Sequence, residues 1–177
     1  MPLDTPRLTL LESSPEQLLA LIEAPEDFER LTGRPTADGL HQFYVSADVS
    51  PAWLEMLRAS AQPDAWRHGF FVAHRERRCV IGSAGFKGPP DAAGIVELAY
   101  GIVPKFEGQG YATEAAAALV RFAFASGQVR LVRAHTLPVA NASTRVLLKC
   151  GFHCLGTVVD PDDGPVWRWE RGPEAPA

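Results

Sequence analysis

The chain has 177 residues, a formal net charge of −4, and 46% hydrophobic and 21% charged residues. These values predict one ordinary globular domain, and the acidic balance argues against nucleic acid as a main partner. Without an apolar run of membrane-spanning length or a signal-peptide pattern, the sequence predicts a cytoplasmic protein with no membrane partner. Its three cysteines lack metal-ligand spacing, which predicts reduced thiols and no metal site.

The N-terminal half is predicted to contain both strands and helices, identified from the spacing of apolar residues. In chain order the predicted elements are a strand at 6–13, a helix from Pro15, a short helix at 28–31, a helix from Pro51, and strands at 68–74, 79–88 and 95–103. The strands at 68–74 and 79–88 are separated by the charged turn RERR, so they are expected to form a hairpin.

The C-terminal half is predicted to alternate between helices and strands. The elements are a helix from Tyr111 to about Ala125, a strand at 129–136, a helix at 142–150 followed by Gly151, and strands at 153–159 and 165–170. This order predicts an α/β (α+β) fold with a mixed central sheet of about six to seven strands and helices on both faces. We expect a single domain over 1–170 and a disordered tail at 171–177.

Charge is unevenly distributed along the chain. The segment from Lys105 to His153 contains six Lys or Arg and two Asp or Glu, so it carries +4 within a chain of −4. No carboxylate occurs between Glu114 and Asp160. A local basic field within an acidic protein favours a small anionic ligand over a long polyanion.

The stretch FEGQGYATEA, residues 106–115, places two glycines directly before a helix-forming run. Glycines there let backbone amides approach an anion at a helix start without an intervening Cβ. A P-loop is excluded because no lysine follows Gly110. A dinucleotide fingerprint is disfavoured because Thr113 replaces its third glycine and the ribose-binding acid is missing. A tight strand-to-helix turn without a ligand is the remaining alternative.

The same stretch resembles the acetyl-CoA loop of the GNAT acetyltransferase superfamily, whose signature is Q/R-x-x-G-x-G/A. Gly110 and Ala112 match this signature, whereas Glu107 stands where Gln or Arg is usual. The run GYATEA, the Asn-Ala-Ser at 141–143 and VLLKCGF at 146–152 are similar to the Rim-type branch, the ribosomal-protein N-acetyltransferases. The resemblance covers roughly residues 68–170. We expect the Glu107 carboxylate to turn away from the loop, toward Lys105.

The resemblance implies acetyl-CoA as co-substrate. It implies that main-chain groups of the strand at 95–103 pair with the pantetheine arm, that the strand is followed by a splay, and that amides of the glycine loop face the pyrophosphate. Asn141 would contact the CoA arm, and by its chemistry it is also a helix N-cap. The predicted cofactor-binding residues are Gly101, Ile102, Val103, Gly108, Gln109, Gly110, Tyr111, Ala112, Thr113 and Asn141.

Two side chains are candidates for proton transfer. Glu97, the only carboxylate on its strand, shares a face with the small Ala99 and Gly101 and is the candidate base; a salt-bridged or solvated carboxylate is the alternative. Ser143 matches a serine of the Rim-type branch that would protonate the leaving thiolate; the alternative is a helix-start residue that satisfies backbone amides. Many superfamily members carry a tyrosine where this chain has Leu147.

The sequence therefore predicts an N-acetyltransferase that moves the acetyl group of acetyl-CoA to a primary amine by direct attack. The acceptor is a protein N-terminal α-amine or a small-molecule amine, and the protein is a monomer or a homodimer. A non-catalytic module that senses acyl-CoA is the alternative function. We expect Glu114 to favour the helix start and His135 to be a satisfied residue of the sheet.

Overall fold

Eight β-strands pair into one mixed sheet in residues 2–46 and 49–173, the part of the chain that the computed structural model describes. The strands are β1 (Leu3–Asp4), β2 (Leu8–Glu12), β3 (Phe70–His74), β4 (Cys79–Phe86), β5 (Ile95–Ile102), β6 (Leu131–Thr136), β7 (His153–Asp160) and β8 (Gly164–Arg171). Their spatial order is β1-β2-β3-β4-β5-β6-β8-β7. Only β5 and β6 pair in parallel among these strands.

The helices lie between the strands in chain order. They are α1 (Pro15–Glu23), α2 (Pro25–Thr32), α3 (Gln42–Val45), α4 (Pro51–Ala59), α5 (Ala65–His68), α6 (Tyr111–Ala125) and α7 (Ala142–Lys149), and a 3-10 turn covers Pro104–Phe106. The predicted bounds of α6 are confirmed, and Gly151 adopts the left-handed conformation, with φ of 77°, expected just after α7. No helix within the described ranges is both long and apolar enough to cross a bilayer.

The predicted fold class is confirmed, but the sheet has one strand more than the six to seven predicted. The additional strand is β1, which has two residues and pairs with β2 through Leu3 and Leu10. The single-turn helices α3 and α5 were also not predicted from the sequence. Elements of two to four residues are too short to show an apolar period, so pairing and packing alone define them.

At the C-terminus the sheet extends one residue further than the sequence predicts. The disordered tail is expected from residue 171, whereas Arg171 still pairs with Val132 at the end of β8. Residues 172 and 173 follow without regular structure. The remainder of the predicted tail, 174–177, lies outside the described residues.

Helices cover both faces of the sheet, as predicted, because neighbouring strand residues point to opposite sides. Phe70 packs against Phe122 of α6 with ring centroids 5.4 Å apart, whereas Phe71 packs against Phe28 of α2 at 5.1 Å. The strand pairing carries this alternation from β3 through β4 to β5. Tyr100 therefore lies on the face of α6 and α7, whereas its neighbours in β5 lie on the face of the N-terminal helices.

The parallel pairing of β5 with β6 stops partway along both strands. It comprises three pairs, which end with Glu97 opposite Arg133, although β5 runs on to Ile102 and β6 to Thr136. Over those later residues β6 stays paired with β8 instead. The splay implied by the resemblance thus begins inside β5 rather than after it.

Close packing of β4 on β5 limits what position 82 can hold. A Cβ on Gly82 would lie 2.2 Å from the carbonyl oxygen of Gly101. Gly82→Ala should therefore destabilise the protein by about 1–3 kcal/mol, because the two strands must move apart. Gly172→Ala, where a Cβ meets nothing within 4 Å, is the control and should be neutral. Denaturant unfolding measures both variants, and equal stability of the two would contradict this account of the packing.

Candidate active site

The described residues form a cavity of about 890 Å³ at the glycine loop, here called the loop cavity. The end of β5, the loop and the first two turns of α7 enclose it. Of the predicted cofactor-binding residues, its lining contains Gly101, Ile102, Gly108, Gly110, Tyr111, Ala112 and Thr113. Ser143 lines it as well.

The other three predicted cofactor residues lie beside this cavity rather than in its lining. Val103 is fully buried, and its amide donates to the Ile81 carbonyl at 2.9 Å. Gln109 is exposed, with its carbonyl oxygen turned toward Arg7. Asn141 is the N-cap of α7 and forms a reciprocal capping box with Thr144. The cap is thus provided by Asn141, and Ser143 is not needed for it.

The glycine loop has the geometry of an anion cradle. Gly108 and Gly110 have φ of 72° and 84°, which glycine adopts without the cost that a Cβ adds. The first hydrogen bond within α6 runs from the Glu114 amide to the Gly110 carbonyl at 3.1 Å. The preceding amides of α6 therefore have no helical partner and carry the positive end of the helix dipole.

Two cations face the same space. Arg145 and Lys149 of α7 line the loop cavity, are exposed, and form no ion pair within the described residues. A diphosphate group needs positive charge and free amides, and this cavity has both. The residues present therefore fit the phosphates of CoA. Glu107 lines the cavity as well, and the ion pair with Lys105 that would turn its carboxylate away is not formed within the described residues.

A network from the chain's first residues supports the loop from behind. Arg7 donates from Nη1 to the Gln109 carbonyl oxygen at 2.9 Å, and its Nε lies 2.7 Å from Glu114 Oε2. Glu114 also accepts from Thr5 Oγ1 at 2.6 Å and from the Arg7 amide at 2.8 Å. Burial raises the pKa of the Glu114 carboxyl, but these hydrogen bonds and the Arg7 charge outweigh it and hold the pKa below its usual value. We call this network the loop clamp.

Tyr111 has its side chain in the core rather than in the loop cavity. It is 8% exposed, and its hydroxyl lies 2.8 Å from His74 Nε2. His74 Nδ1 accepts from the Arg77 amide at 3.1 Å, so Nε2 carries the hydrogen and donates to Tyr111. The Tyr111 side chain therefore anchors the start of α6. If Tyr111 contacts a cofactor in the loop cavity, it does so through main-chain atoms.

A second cavity, about 370 Å³, occupies the gap between β5 and β6 and is called the splay cavity. Its lining includes the two predicted catalytic residues, Glu97 and Ser143, together with His135 and Tyr100. Tyr100 contacts Ser143: its hydroxyl donates to the Ser143 carbonyl at 3.3 Å and also interacts with the Ser143 side chain. Burial raises the pKa of the Tyr100 phenol, so this hydroxyl keeps its proton.

Glu97 is ion-paired rather than free. Its Oε1 lies 2.6 Å from Lys87 Nζ and 3.0 Å from His135 Nδ1. Burial raises the pKa of the Glu97 carboxyl, but the hydrogen bonds and charges of Lys87 and His135 outweigh it and lower the pKa. The salt-bridged alternative considered for Glu97 is the arrangement observed, and a carboxylate with a lowered pKa is a weak base. His135 is its direct neighbour, which the sequence did not indicate.

A third cavity, about 480 Å³, is a groove on the face of the N-terminal helices and is called the aromatic groove. Its walls include Phe43, Tyr44 and Trp53, and among the described residues that line it there is no Asp or Glu. A Cβ on Gly101 would lie 3.1 Å from the Phe43 ring, so glycine is what allows that ring to lie against β5. Residues 26–50 show little pattern in the sequence, and these walls were not predicted.

The three cavities meet at one residue. Among the described residues, Tyr100 lines the loop cavity, the splay cavity and the aromatic groove. Phe43 and Gly101 are shared by the loop cavity and the groove, and Ser143 by the loop and splay cavities. The loop cavity and the groove are therefore neighbours at the end of β5.

The chain belongs to the GNAT acetyltransferase family, because the family described as acetyltransferase (GNAT) domain matches residues 7–153. Among curated proteins, the FsC-acetyl coenzyme A-N(2)-transacetylase of Aspergillus fumigatus is 36% identical over 76 residues. That match covers 43% of this chain but only 32% of the relative's length.

Solved structures share the fold over nearly the whole chain. The GNAT-family acetyltransferase from Bacillus anthracis has a TM-score of 0.64 at 16% identity and covers 97% of this chain and 98% of its own. The ribosomal-protein-S5-alanine acetyltransferase from Vibrio fischeri has a TM-score of 0.67 at 12% identity, with 97% and 96% covered. The predicted family is confirmed, and the predicted likeness to ribosomal-protein acetyltransferases is found in the fold.

The loop clamp should make stability depend on pH. Because the Glu114 pKa is lower in the folded state, its contribution is present above the pKa of an unfolded glutamate and is lost as pH falls through the folded pKa. Glu114→Gln should cost about 1–2 kcal/mol of unfolding free energy at pH 7 and almost nothing at pH 3.

The matched control is Glu16→Gln. Glu16 also lies in the first turn of a helix, α1, but forms no ion pair within the described residues. Urea unfolding of both variants at pH 7 and pH 3 separates the loop clamp from the general helix-dipole effect. Equal losses of unfolding free energy in the two variants at pH 7 would contradict a stabilising role of the loop clamp.

Proposed function

We propose that the protein is an acetyl-CoA-dependent N-acetyltransferase that acetylates a primary amine by direct attack. One observation carries the proposal: the loop cavity, the aromatic groove and the splay cavity at the interrupted β5–β6 pairing all border Tyr100. The acyl donor and the acceptor can thus approach from opposite faces of the sheet. Membership in the acetyltransferase family supports this proposal.

Acetyl-CoA would occupy the loop cavity. The amides at the start of α6 and the cations Arg145 and Lys149 would hold its phosphates. Main-chain groups of Gly101 and Ile102 would accompany the pantetheine arm, since β5 has no strand partner on that side beyond Glu97 within the described residues. The acetyl group would then lie at the splay, beside Tyr100 and Ser143.

The acceptor must first lose a proton. Holding a lysine-like amine neutral at pH 7 costs about 4.6 kcal/mol, whereas an α-amine costs only about 1 kcal/mol. The proton-accepting group would be in the splay cavity, where Glu97 and His135 touch.

In the transfer step, the amine nitrogen bonds to the thioester carbonyl carbon and the carbon–sulfur bond breaks. We propose that the Ser143 hydroxyl protonates the leaving thiolate, because Ser143 lines both the loop cavity and the splay cavity.

The aromatic groove favours an acceptor that carries an apolar body next to its amine. Phe43, Tyr44 and Trp53 provide apolar walls, and the described residues of the lining include no Asp or Glu that would bind a polycationic acceptor. A small-molecule amine and a protein N-terminus with an apolar first side chain both satisfy this description. The protein would act as a monomer or a homodimer.

The test is a panel of amines incubated with acetyl-CoA, with released thiol as the readout. We expect turnover with amines that carry aromatic or aliphatic groups, and much weaker turnover with polyamines of similar size. Binding of acetyl-CoA without thiol release for any amine or N-terminal peptide would contradict the proposal. That result would favour the non-catalytic sensor instead.

A pair of glycines tests where acetyl-CoA binds. Gly108 and Gly127 have φ of 72° and 71°, and a Cβ at either position meets nothing within 4 Å. Alanine at each should cost a similar 1–2 kcal/mol of backbone strain, roughly the penalty of the left-handed conformation. Of these two glycines, Gly108 lines the loop cavity and Gly127 does not. Gly108→Ala should therefore weaken acetyl-CoA binding about tenfold or more, whereas Gly127→Ala should leave it unchanged.

Isothermal titration measures the affinities of both glycine variants, and thermal unfolding reports their strain. In the wild type, acetyl-CoA should raise the melting temperature by mass action. Equal affinity in the Gly108→Ala and Gly127→Ala proteins would show that the glycine loop does not hold the cofactor.

A further inference from the structure

Resting on the proposed acetyl transfer, we infer that His135 is the base that takes the proton from the acceptor amine. Glu97 is then a positioning residue that holds the imidazole ring. This assignment reverses the roles expected from the sequence, in which Glu97 is the base and His135 a satisfied residue of the sheet.

The splay itself brings the two side chains together. The last parallel pair sets Glu97 opposite Arg133, and His135 lies two residues further along β6 on the same face. Because the strands separate there, the ring has room beside the carboxylate, and Nδ1 lies 3.0 Å from Glu97 Oε1. Both side chains line the splay cavity with Ser143, and the His135 side chain is 11% exposed.

The hydrogen bond determines which nitrogen can act. Lys87 keeps the Glu97 carboxylate charged, and a carboxylate only accepts, so His135 Nδ1 must carry the hydrogen. His135 Nε2 is therefore left with its lone pair. Arg168 Nε donates to it at 3.4 Å, a long hydrogen bond that an incoming ammonium group can replace.

The charged groups around the ring are three carboxylates and two cations, a net charge of −1. Those facing it are Glu97 from β5, Lys87 after β4, Arg168 from β8, and Asp160 and Asp163 at the turn between β7 and β8. The carboxylates offset the two cations, so the ring can accept a proton without becoming an isolated buried charge. Imidazole suits this task near neutral pH better than a carboxylate with a lowered pKa.

The proton balance of the reaction then closes. His135 Nε2 takes one proton from the acceptor ammonium and becomes an imidazolium that Glu97 stabilises. The neutral amine forms the new carbon–nitrogen bond as the carbon–sulfur bond breaks, and the nitrogen's second proton replaces the one that Ser143 gives to the thiolate. His135 finally releases its proton to water, so an ammonium and a thioester yield an amide, a thiol and one free proton.

The main test is His135→Gln with a lysine-like amine. Turnover at pH 7 should fall about 10²–10³-fold, within the usual contribution of a general base, and recover partly at high pH. The dissociation constant of acetyl-CoA should stay within threefold of wild type. His153→Gln is the matched control, because His153 is exposed and does not line the splay cavity, and it should behave as wild type.

A second variant tests the positioning role. Glu97→Gln keeps an acceptor for Nδ1 but removes the negative charge, so the acidic limb of the kcat/KM profile should move to lower pH. In His135→Gln that limb should be replaced by one at higher pH, set by the ionisation of the amine itself. The double variant should be no slower than His135→Gln alone, because the two residues act as a unit.

The outcomes separate the possible failures. If His135→Gln turns over within threefold of wild type while Glu97→Gln loses activity, the carboxylate is the base and the inference is wrong. An unshifted acidic limb in Glu97→Gln would also overturn it, even if the histidine variant does not fold. A wild-type protein that binds acetyl-CoA but releases no thiol would instead overturn the proposed function, and the inference with it.

Discussion

The end of the β5–β6 ladder at Glu97 is the constraint on which the rest of the site depends. A continuous ladder would close the sheet and separate its two faces. Because β6 remains paired with β8 through Thr136 and α7 begins beside Tyr100, the gap is held open by neighbouring elements. The opened strands form the splay cavity, which shares Tyr100 with the loop cavity and the aromatic groove, and they give His135 room to reach Glu97.

The loop cavity and the aromatic groove differ in the charges that line them. In the loop cavity, free amides and the cations Arg145 and Lys149 face an open space suited to phosphates. The described lining of the aromatic groove has no carboxylate, and the charges between the two cavities are paired around Glu97. In the proposed reaction the charged donor, the apolar acceptor and the proton-transfer groups would thus have separate places, and Tyr100 borders all three cavities.

Much of the fold is predictable because its longer elements repeat their patterns. The helix Tyr111–Ala125, the glycine after α7 and the alternation of β5 follow from local chemistry. Most of the predicted cofactor residues also line one cavity, since a glycine loop at a helix start is a local motif. The strand β1 and the one-turn helices were missed because two to four residues carry no period.

The family, the order of the longer elements and the glycine loop can be read from the amino-acid sequence, because they depend on residues close together in the chain. Three contacts become visible only in the folded chain: Arg7 on the loop, Phe43 on Gly101, and His135 on Glu97. Each of these contacts joins residues far apart in sequence, and which groups meet depends on sheet register. The chemical state of Glu97, a paired carboxylate rather than a free base, is set by such contacts and cannot be read from its position in the strand.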